Sequence, residues 1–529
     1  MNKIIYAIVF VVVLLNGLSG CWIKDNSKGM IYNPVLPGDY PNPTVIKIKD
    51  CYYASATSNE WSPLFPIFKS KDLINWKLIS YVFPGGAPDW ADKNFWSPEL
   101  AYDKEQDRVY VYYSARDKKT NRMTIGVASA ESPEKPFVDH GPFVSQEMGS
   151  IDAFEMRDRD GKIYLIWKED GSSIGLPTPI YAQEVSNDRS RLLGEKVELI
   201  RNDKDWEGGL VEGVCLFAKG DYFYMFYSSG NCCDKECNYK VGVARAKSLL
   251  GPWEKFEDNP ILRTNVEWKC PGQGAVVPKD DDLFLLYHAY SRQGSVYIGR
   301  QGVLEKLFWR KDNWPYFKNA QILNSPKEKL NFEDHFTDAL NLIWQWRVTH
   351  DLSYATGEDG LMLEASNENL ELGSLLVQSV RSTDYQFVAT VDLGNTGMNS
   401  EGGIALIGAA SNEFYAPLAG LGISVDHNLI KAWRTVNHET SILGEVLVSE
   451  LQDDMVNLKM EVNDGYLINF FVKVEDRWEK VAGNIDASAY VPWGMGFRLG
   501  LVAKGKAEEF VNIKSVKLTS LDTKESGLN

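Results

Sequence analysis

The sequence predicts an all-β protein, a five-bladed β-propeller over residues 30–322 followed by a β-sandwich over residues 330–519. Three observations carry this prediction. Short runs rich in aromatic and β-branched residues recur every 54 to 61 residues as far as Leu307. A second short motif recurs at nearly the same interval, ahead of each run. From Asn331 the texture changes to many strand-like segments with Gly- and Asn-rich turns, and the motif disappears.

The recurring runs are Tyr52-Tyr53-Ala54-Ser55, Val109 to Tyr113, Ile163 to Trp167, Tyr222 to Tyr227 and Leu283 to Tyr287. Each follows a polar turn: Lys49-Asp50, Gln106-Asp107, Asp160-Gly161, Lys219-Gly220-Asp221 and Asp280-Asp281-Asp282. Apolar residues of high β-propensity bounded by turn residues read as hairpin strands. The companion motifs are Tyr40-Pro41-Asn42-Pro43-Thr44, Trp96-Ser97-Pro98-Glu99, Ser150-Ile151-Asp152-Ala153-Phe154, Val211-Glu212-Gly213 and Pro271-Gly272-Gln273-Gly274. Measured from Asn42 through Ser97, Asp152, Glu212 and Gln273, they lie 55, 55, 60 and 61 residues apart. Five motifs at one period suggest five blades, each bringing the motif on its innermost strand to a common axis. Residues 323–329 read as a linker, and the polar tail after Ser520 reads as disordered.

The first residues read as an address. Lys3 precedes an apolar run from Ile4 to Leu15, and Leu18-Ser19-Gly20-Cys21 follows. The run is short for a membrane span and has the form of a secretory core. The small residues before Cys21 resemble a bacterial lipobox, which implies a signal peptide over residues 1–20 and a lipid on Cys21. The expected location is the outer membrane, the cell surface or the periplasm, with membrane contact only through that lipid. Export favours a loop disulfide over a zinc site for the cluster Cys232, Cys233 and Cys237, with the pairing open.

Formal net charge is −16, from 56 basic and 72 acidic residues. That balance excludes a nucleic-acid partner, which needs clustered Lys and Arg. Six His leave little room for a histidine-built metal site. Sixteen Trp suit either a large aromatic β core or a stacking surface for sugars.

The motifs, taken in order and at blade spacing, resemble glycoside hydrolase family 43. The stretches that carry the resemblance are Asn33 to Thr44, Ser70 to Trp76, Phe95 to Leu100, Ser150-Ile151-Asp152, Val211-Glu212-Gly213 and Tyr287-His288-Ala289-Tyr290. The region from Phe332 looks like the concanavalin-like β-sandwich that follows the propeller in β-xylosidase-like members. The resemblance implies an inverting hydrolase that cleaves arabinofuranosyl or xylosyl linkages of plant polysaccharides such as xylan. In such enzymes an acid protonates the leaving oxygen and a base, ~6.5–9.5 Å away, deprotonates a water on the other face.

By resemblance Glu212 is the general acid and Asp152 the carboxylate that tunes it. The base position departs from the family pattern, because Asp is expected there and Asn42 stands instead. An amide is a very poor base, and Pro43 lacks the N–H that deamidation to Asp would use. Three accounts stay open. Asp39 takes over, another carboxylate such as Glu99 or Glu155 holds the water, or the protein is a catalytically impaired surface lipoprotein that binds carbohydrate. An invertase-type propeller would need a nucleophilic carboxylate in the first blade, which Asn42 is not. Trp61, Phe65, Trp96 and Phe154 are candidates to stack on sugar, and Arg292, Arg300 and His288 to contact it. No cofactor is required, although the resemblance allows a water-coordinated calcium ion at the axis near His288.

Overall fold

The computed structural model describes residues 31–292, 295–318, 331–366, 372–450 and 454–521. The expected export signal, Cys21 and the linker lie outside these residues. Strands dominate. The first half forms five antiparallel sheets in chain order. Their first strands are Thr44–Ile48, Ala91–Asp103, Ser150–Arg157, Glu212–Lys219 and Trp268–Lys279. All five expected polar turns supply a left-handed residue: Lys49, Asp107, Gly161, Gly220 and Asp280. That conformation matches a tight hairpin to the twist of its strands.

Each first strand touches the next, and the fifth touches the first, so the sheets close a ring. Four sheets have four strands and the fifth has three. The segment before the first sheet completes the fifth. Val35 donates its N–H to the Gly302 carbonyl at 2.9 Å, and Gly302 donates to that of Leu36 at 3.0 Å. Asn33 bonds both backbone groups of Leu304, at 3.1 and 2.8 Å. A Cβ on Gly302 would sit 2.8 Å from Leu36 Cβ, so this closure requires glycine.

The second half is two antiparallel sheets with one apolar core between them. Phe387, Leu406, Ile423, Leu458, Phe470, Leu501 and Ile513 are buried in it. The halves meet over a broad interface. Trp61–Ser62 pairs with Trp346–Arg347 as a two-stranded sheet, and Tyr81 donates to the Leu342 carbonyl at 2.6 Å. Asp39 Oδ2 pairs with Arg498 Nη1 at 2.9 Å, both side chains being buried. Among the described residues no helix is long and apolar enough to cross a membrane.

The cysteine cluster forms two bridges, Cys232–Cys233 and Cys237–Cys270. The second joins the fourth sheet's loop to the first strand of the fifth.

Candidate active site

On each of the five first strands or just before it, a left-handed residue recurs at the motif: Asn42 at φ 53°, Ser97 at 46°, Asp152 at 57°, Gly213 at 59° and Gln273 at 32°. Such backbone is strained in any residue but glycine, so something must hold it. Side chains from the preceding sheet do. Thr57 Oγ1 accepts the Ser97 N–H at 2.8 Å and Ser114 Oγ that of Asp152 at 3.1 Å. Ser228 Oγ accepts the Gln273 N–H at 2.8 Å, and His288 Nδ1 that of Asn42 at 3.0 Å. In the fourth sheet the repeat falls on Gly213, one residue beyond the Glu212 that the sequence spacing suggests.

The third sheet breaks the pattern. Lys168 stands opposite Ile151, as Ser114 stands opposite Trp96 and Ser228 opposite Glu212. Lysine cannot accept a hydrogen bond. The Gly213 N–H goes instead to Asp152 Oδ2 at 3.1 Å. Lys168 is thereby free to reach forward. Its ammonium lies 2.7 Å from Glu212 Oε2 and 3.0 Å from Asp170 Oδ1. Burial opposes its charge, but the carboxylates of Glu212, Asp170 and Asp152 win and hold its proton more tightly than in an ordinary lysine.

Tyr239 donates to the other Glu212 oxygen at 2.8 Å. Its ring stacks on His288 at 5.7 Å with 3° between planes. A Cβ on Gly272 would lie 2.0 Å from that ring, so only glycine lets Tyr239 into place. The Cys237–Cys270 bridge brackets both residues from two positions upstream.

Asp152 is buried. Desolvation first and the neighbouring Glu212 charge second raise its carboxyl to about 6, against the pull of Lys168, Ser97 and Gln273. A carboxyl raised in the folded state favours folding when protonated. This contribution is complete below the ordinary carboxylate range and is lost as pH rises through about 6. Glu212→Gln removes one raising cause, so the Asp152 midpoint falls below about 6. Carboxyl-carbon NMR reads it, and an unchanged or higher midpoint would contradict the assignment.

Gln273 ties Asp152 to Asn42. Its Nε2 donates to Asp152 Oδ1 at 3.2 Å, while its Oε1 accepts from Asn42 Nδ2. Asn42 Oδ1 accepts from Thr57 Oγ1 at 3.3 Å and from Arg300 Nη1 at 3.4 Å. The amide polarity therefore runs one way, from Asn42 through Gln273 to Asp152. The site holds two adjacent carboxyl groups, one beside a lysine, and an amide joined to Asp152 through Gln273.

A family model for glycosyl hydrolases family 43 matches residues 31–315. The chain belongs to that family. It is similar to a xylan 1,3-beta-xylosidase of a Vibrio species, at 26% identity over 55% of this chain and 58% of that enzyme. It is also similar to the extracellular exo-alpha-(1->5)-L-arabinofuranosidase ArbA of Cellvibrio japonicus, at 25% identity over 54% of this chain and 88% of that one. The match thus spans less than two thirds of the Vibrio enzyme. A solved xylan beta-1,4-xylosidase from Bacillus halodurans has the same fold, with TM-score 0.75 at 19% identity over 93% of this chain and 100% of that one.

The site of this family-43 chain gathers some candidates of the sequence and dismisses others. Glu212, Asp152, Asn42, His288 and Arg300 converge on it. Asp39 does not. Its carboxylate is spent on Arg498 and on the Arg300 backbone N–H at 3.2 Å, so it is an interface residue rather than a substitute base. Glu155 pairs with buried Arg189 at 2.8 Å. Burial, with a smaller push from Glu155, raises Glu99 to about 8 against its Thr44 hydrogen bond, leaving it protonated at neutral pH.

The aromatic candidates divide likewise. Trp61 is 2% exposed and packs among Leu372, Leu375, Val377 and Trp433 of the second half. Arg347 and Arg498 lie over its ring, at 5.2 and 5.8 Å. It has no free face for a sugar. Phe65 is wholly buried in the first sheet's core, and Phe154 is half-buried in the packing between sheets. Arg292 is exposed and donates to the Asn265 carbonyl at 3.0 Å. Trp96 keeps a partly exposed ring, 5.7 Å from Phe414 of the second half, which in turn lies 4.7 Å from Trp493.

Sequence reasoning missed Lys168, Tyr239, the bridging role of Gln273, and Phe414. Aligning the second strands would have exposed Lys168, a cation where the other sheets carry Ser, Thr or His. The surroundings of His288 do not suit a directly bound cation. Its Nδ1 lone pair is taken by Asn42, and Arg300 lies close enough that, after burial itself, it drives the imidazole toward its neutral form. Among the described residues no group of three or more His, Cys, Asp or Glu is arranged to hold a metal ion.

Proposed function

We propose that this family-43 chain is a glycoside hydrolase acting on pentosyl linkages of plant polysaccharides, with the acid half of an inverting mechanism in place and no carboxylate at the base position. We read the ring of five sheets as a five-bladed propeller over residues 30–322 and the two-sheet half as a β-sandwich over residues 330–519. Glu212 is the acid and Asp152 its tuner. The observation that carries this is their joint placement, with Asp152 gripping the Gly213 N–H directly beside Glu212. The printed activities of the relatives, xylosidase and arabinofuranosidase, support a pentose substrate.

Tyr239 and Lys168 fix the Glu212 carboxyl from both oxygens and so set its aim at a leaving oxygen. When Glu212 gives up its proton, the adjacent ammonium stabilises the carboxylate that forms. Gln273 orients Asp152. Asn42 can hold a water by hydrogen bonds but cannot take its proton.

Aryl β-xylosides and α-L-arabinofuranosides test this reading. Glu212→Gln is expected to lower kcat/KM by ~10²–10⁴-fold, the usual worth of a general acid. A wild-type protein that folds and cleaves no pentoside would overturn it. The second reading, carbohydrate binding with little hydrolysis, is favoured by one specific observation: Asp39, Glu99 and Glu155 are all committed elsewhere. It requires glycan affinity that Glu212→Gln leaves intact.

A further inference from the structure

Two residues that touch Asn42 each keep a buried donor without a partner among the described residues. One is Arg300 Nε and the other His288 Nε2. Both side chains are nearly sealed from solvent, Arg300 at 4% exposure and His288 at 0%. Both touch Asn42, Arg300 through Nη1 to the amide oxygen and His288 through Nδ1 to the backbone N–H. Because Nδ1 accepts that hydrogen bond, the neutral ring carries its own proton on Nε2 and can only donate there.

The charge balance at the same place is also incomplete. The Arg300 guanidinium meets two neutral oxygens, that of Asn42 at 3.4 Å and the Gly494 carbonyl at 3.0 Å. Its nearest acid, Asp39, pairs with the Arg498 guanidinium instead. Among the described residues no carboxylate pairs with the Arg300 side chain. A buried guanidinium without a counter-charge is costly, and so is a buried donor without an acceptor. One ligand chemistry relieves both: a planar anion with two acceptor oxygens.

We infer that Arg300 and His288, the two residues beside Asn42 with unpartnered donors, bind a carboxylate whose owner supplies the base that the chain lacks. The inference rests on the hydrolase reading above. The carboxylate comes either from a small free acid such as formate or from an acidic sugar on the substrate itself. In the step it takes one proton from water as the water oxygen bonds to the anomeric carbon. The bond from that carbon to the leaving oxygen breaks, and Glu212 delivers its proton to the leaving oxygen. The carboxylic acid then releases its proton to solvent, and Glu212 takes one back.

The test uses the full chain, an aryl pentoside, and sodium formate against sodium chloride at equal ionic strength. Formate is expected to raise the wild-type rate saturably by ~10-fold or more, within the ~10²–10⁴-fold worth of a base. Carbon-13 formate NMR without sugar is expected to show binding that Asn42→Asp abolishes, since the new carboxylate occupies the charge. The same variant is expected to ignore formate in the rate assay. Hydrolysis of a uronic-acid-bearing oligosaccharide without formate, with its neutral analogue left uncut, would assign the carboxylate to the substrate. Acceleration by free formate alone would assign it to solution. Absence of formate binding, or binding that Asn42→Asp leaves unchanged, would overturn the inference. Binding without acceleration, in a protein whose Asn42→Asp form hydrolyses well, would overturn the catalytic part. If neither form hydrolyses any pentoside, the hydrolase reading fails while the NMR arm still judges the site.

Discussion

Asn42→Asp is expected to raise hydrolysis of an aryl pentoside by ~10²–10⁴-fold, the worth of general-base assistance. The substitution is nearly isosteric and falls where a network already converges. Thr57 and Arg300 both donate to the side-chain oxygen of residue 42, and a carboxylate accepts more strongly than an amide. Arg300 gains the counter-charge it lacks. One contact must change, because Gln273 Oε1 now accepts from the Asn42 amide and would face a second acceptor. Turning the Gln273 amide offers its N–H₂ to residue 42 but withdraws it from Asp152. The variant should therefore shift the pH–rate profile as well as its height. Initial rates across pH on one substrate measure both. A clear parental rate with no gain in the variant would place the base elsewhere in the chain.

Arg498→Met is expected to destabilise the protein by ~3–5 kcal/mol, the usual result of breaking a buried ion pair from one side. Asp39 would keep only the Arg300 backbone N–H on one oxygen and lose its charge partner on the other. Trp61 would lose one of the two guanidiniums over its ring. Denaturant midpoints of the parent, Arg498→Met, Asp39→Asn and the double variant measure this. The double variant should cost less than the sum of the singles, since each single strands a buried partner. Strict additivity would mean that the pair contributes no coupling.

The repeat was legible in the sequence because everything that makes it is local. A polar turn, an aromatic hairpin strand and a motif sit within some 60 residues of one another, five times over. Register within the motif was not legible. The bulge that puts Gly213 rather than Glu212 in the repeating place depends on which N–H meets which acceptor across two sheets. The motif spacing put Asp152 beside Glu212, yet Lys168 escaped it, because Lys168 lies on a second strand outside the motifs and meets Glu212 only across two sheets. Trp61 misled for a different reason. An aromatic ring near a motif can face the axis or the outside, and only the second half, which buries Trp61, decides that. Asp39 stood three residues from Asn42 and suggested a spare base. Its claim fails on contacts to Arg498, some 460 residues away.

The family model stops at residue 315, but the site does not. Arg300 is steadied by the carbonyl of Gly494, and Trp96 faces Phe414, so residues far beyond the match reach the centre of the ring. The candidate site and the family match therefore have different borders. Cutting the chain after the ring, or exchanging the second half for that of a relative, would alter the floor of the site as directly as a substitution within it. Transplanting substrate preference between members calls for moving both halves together.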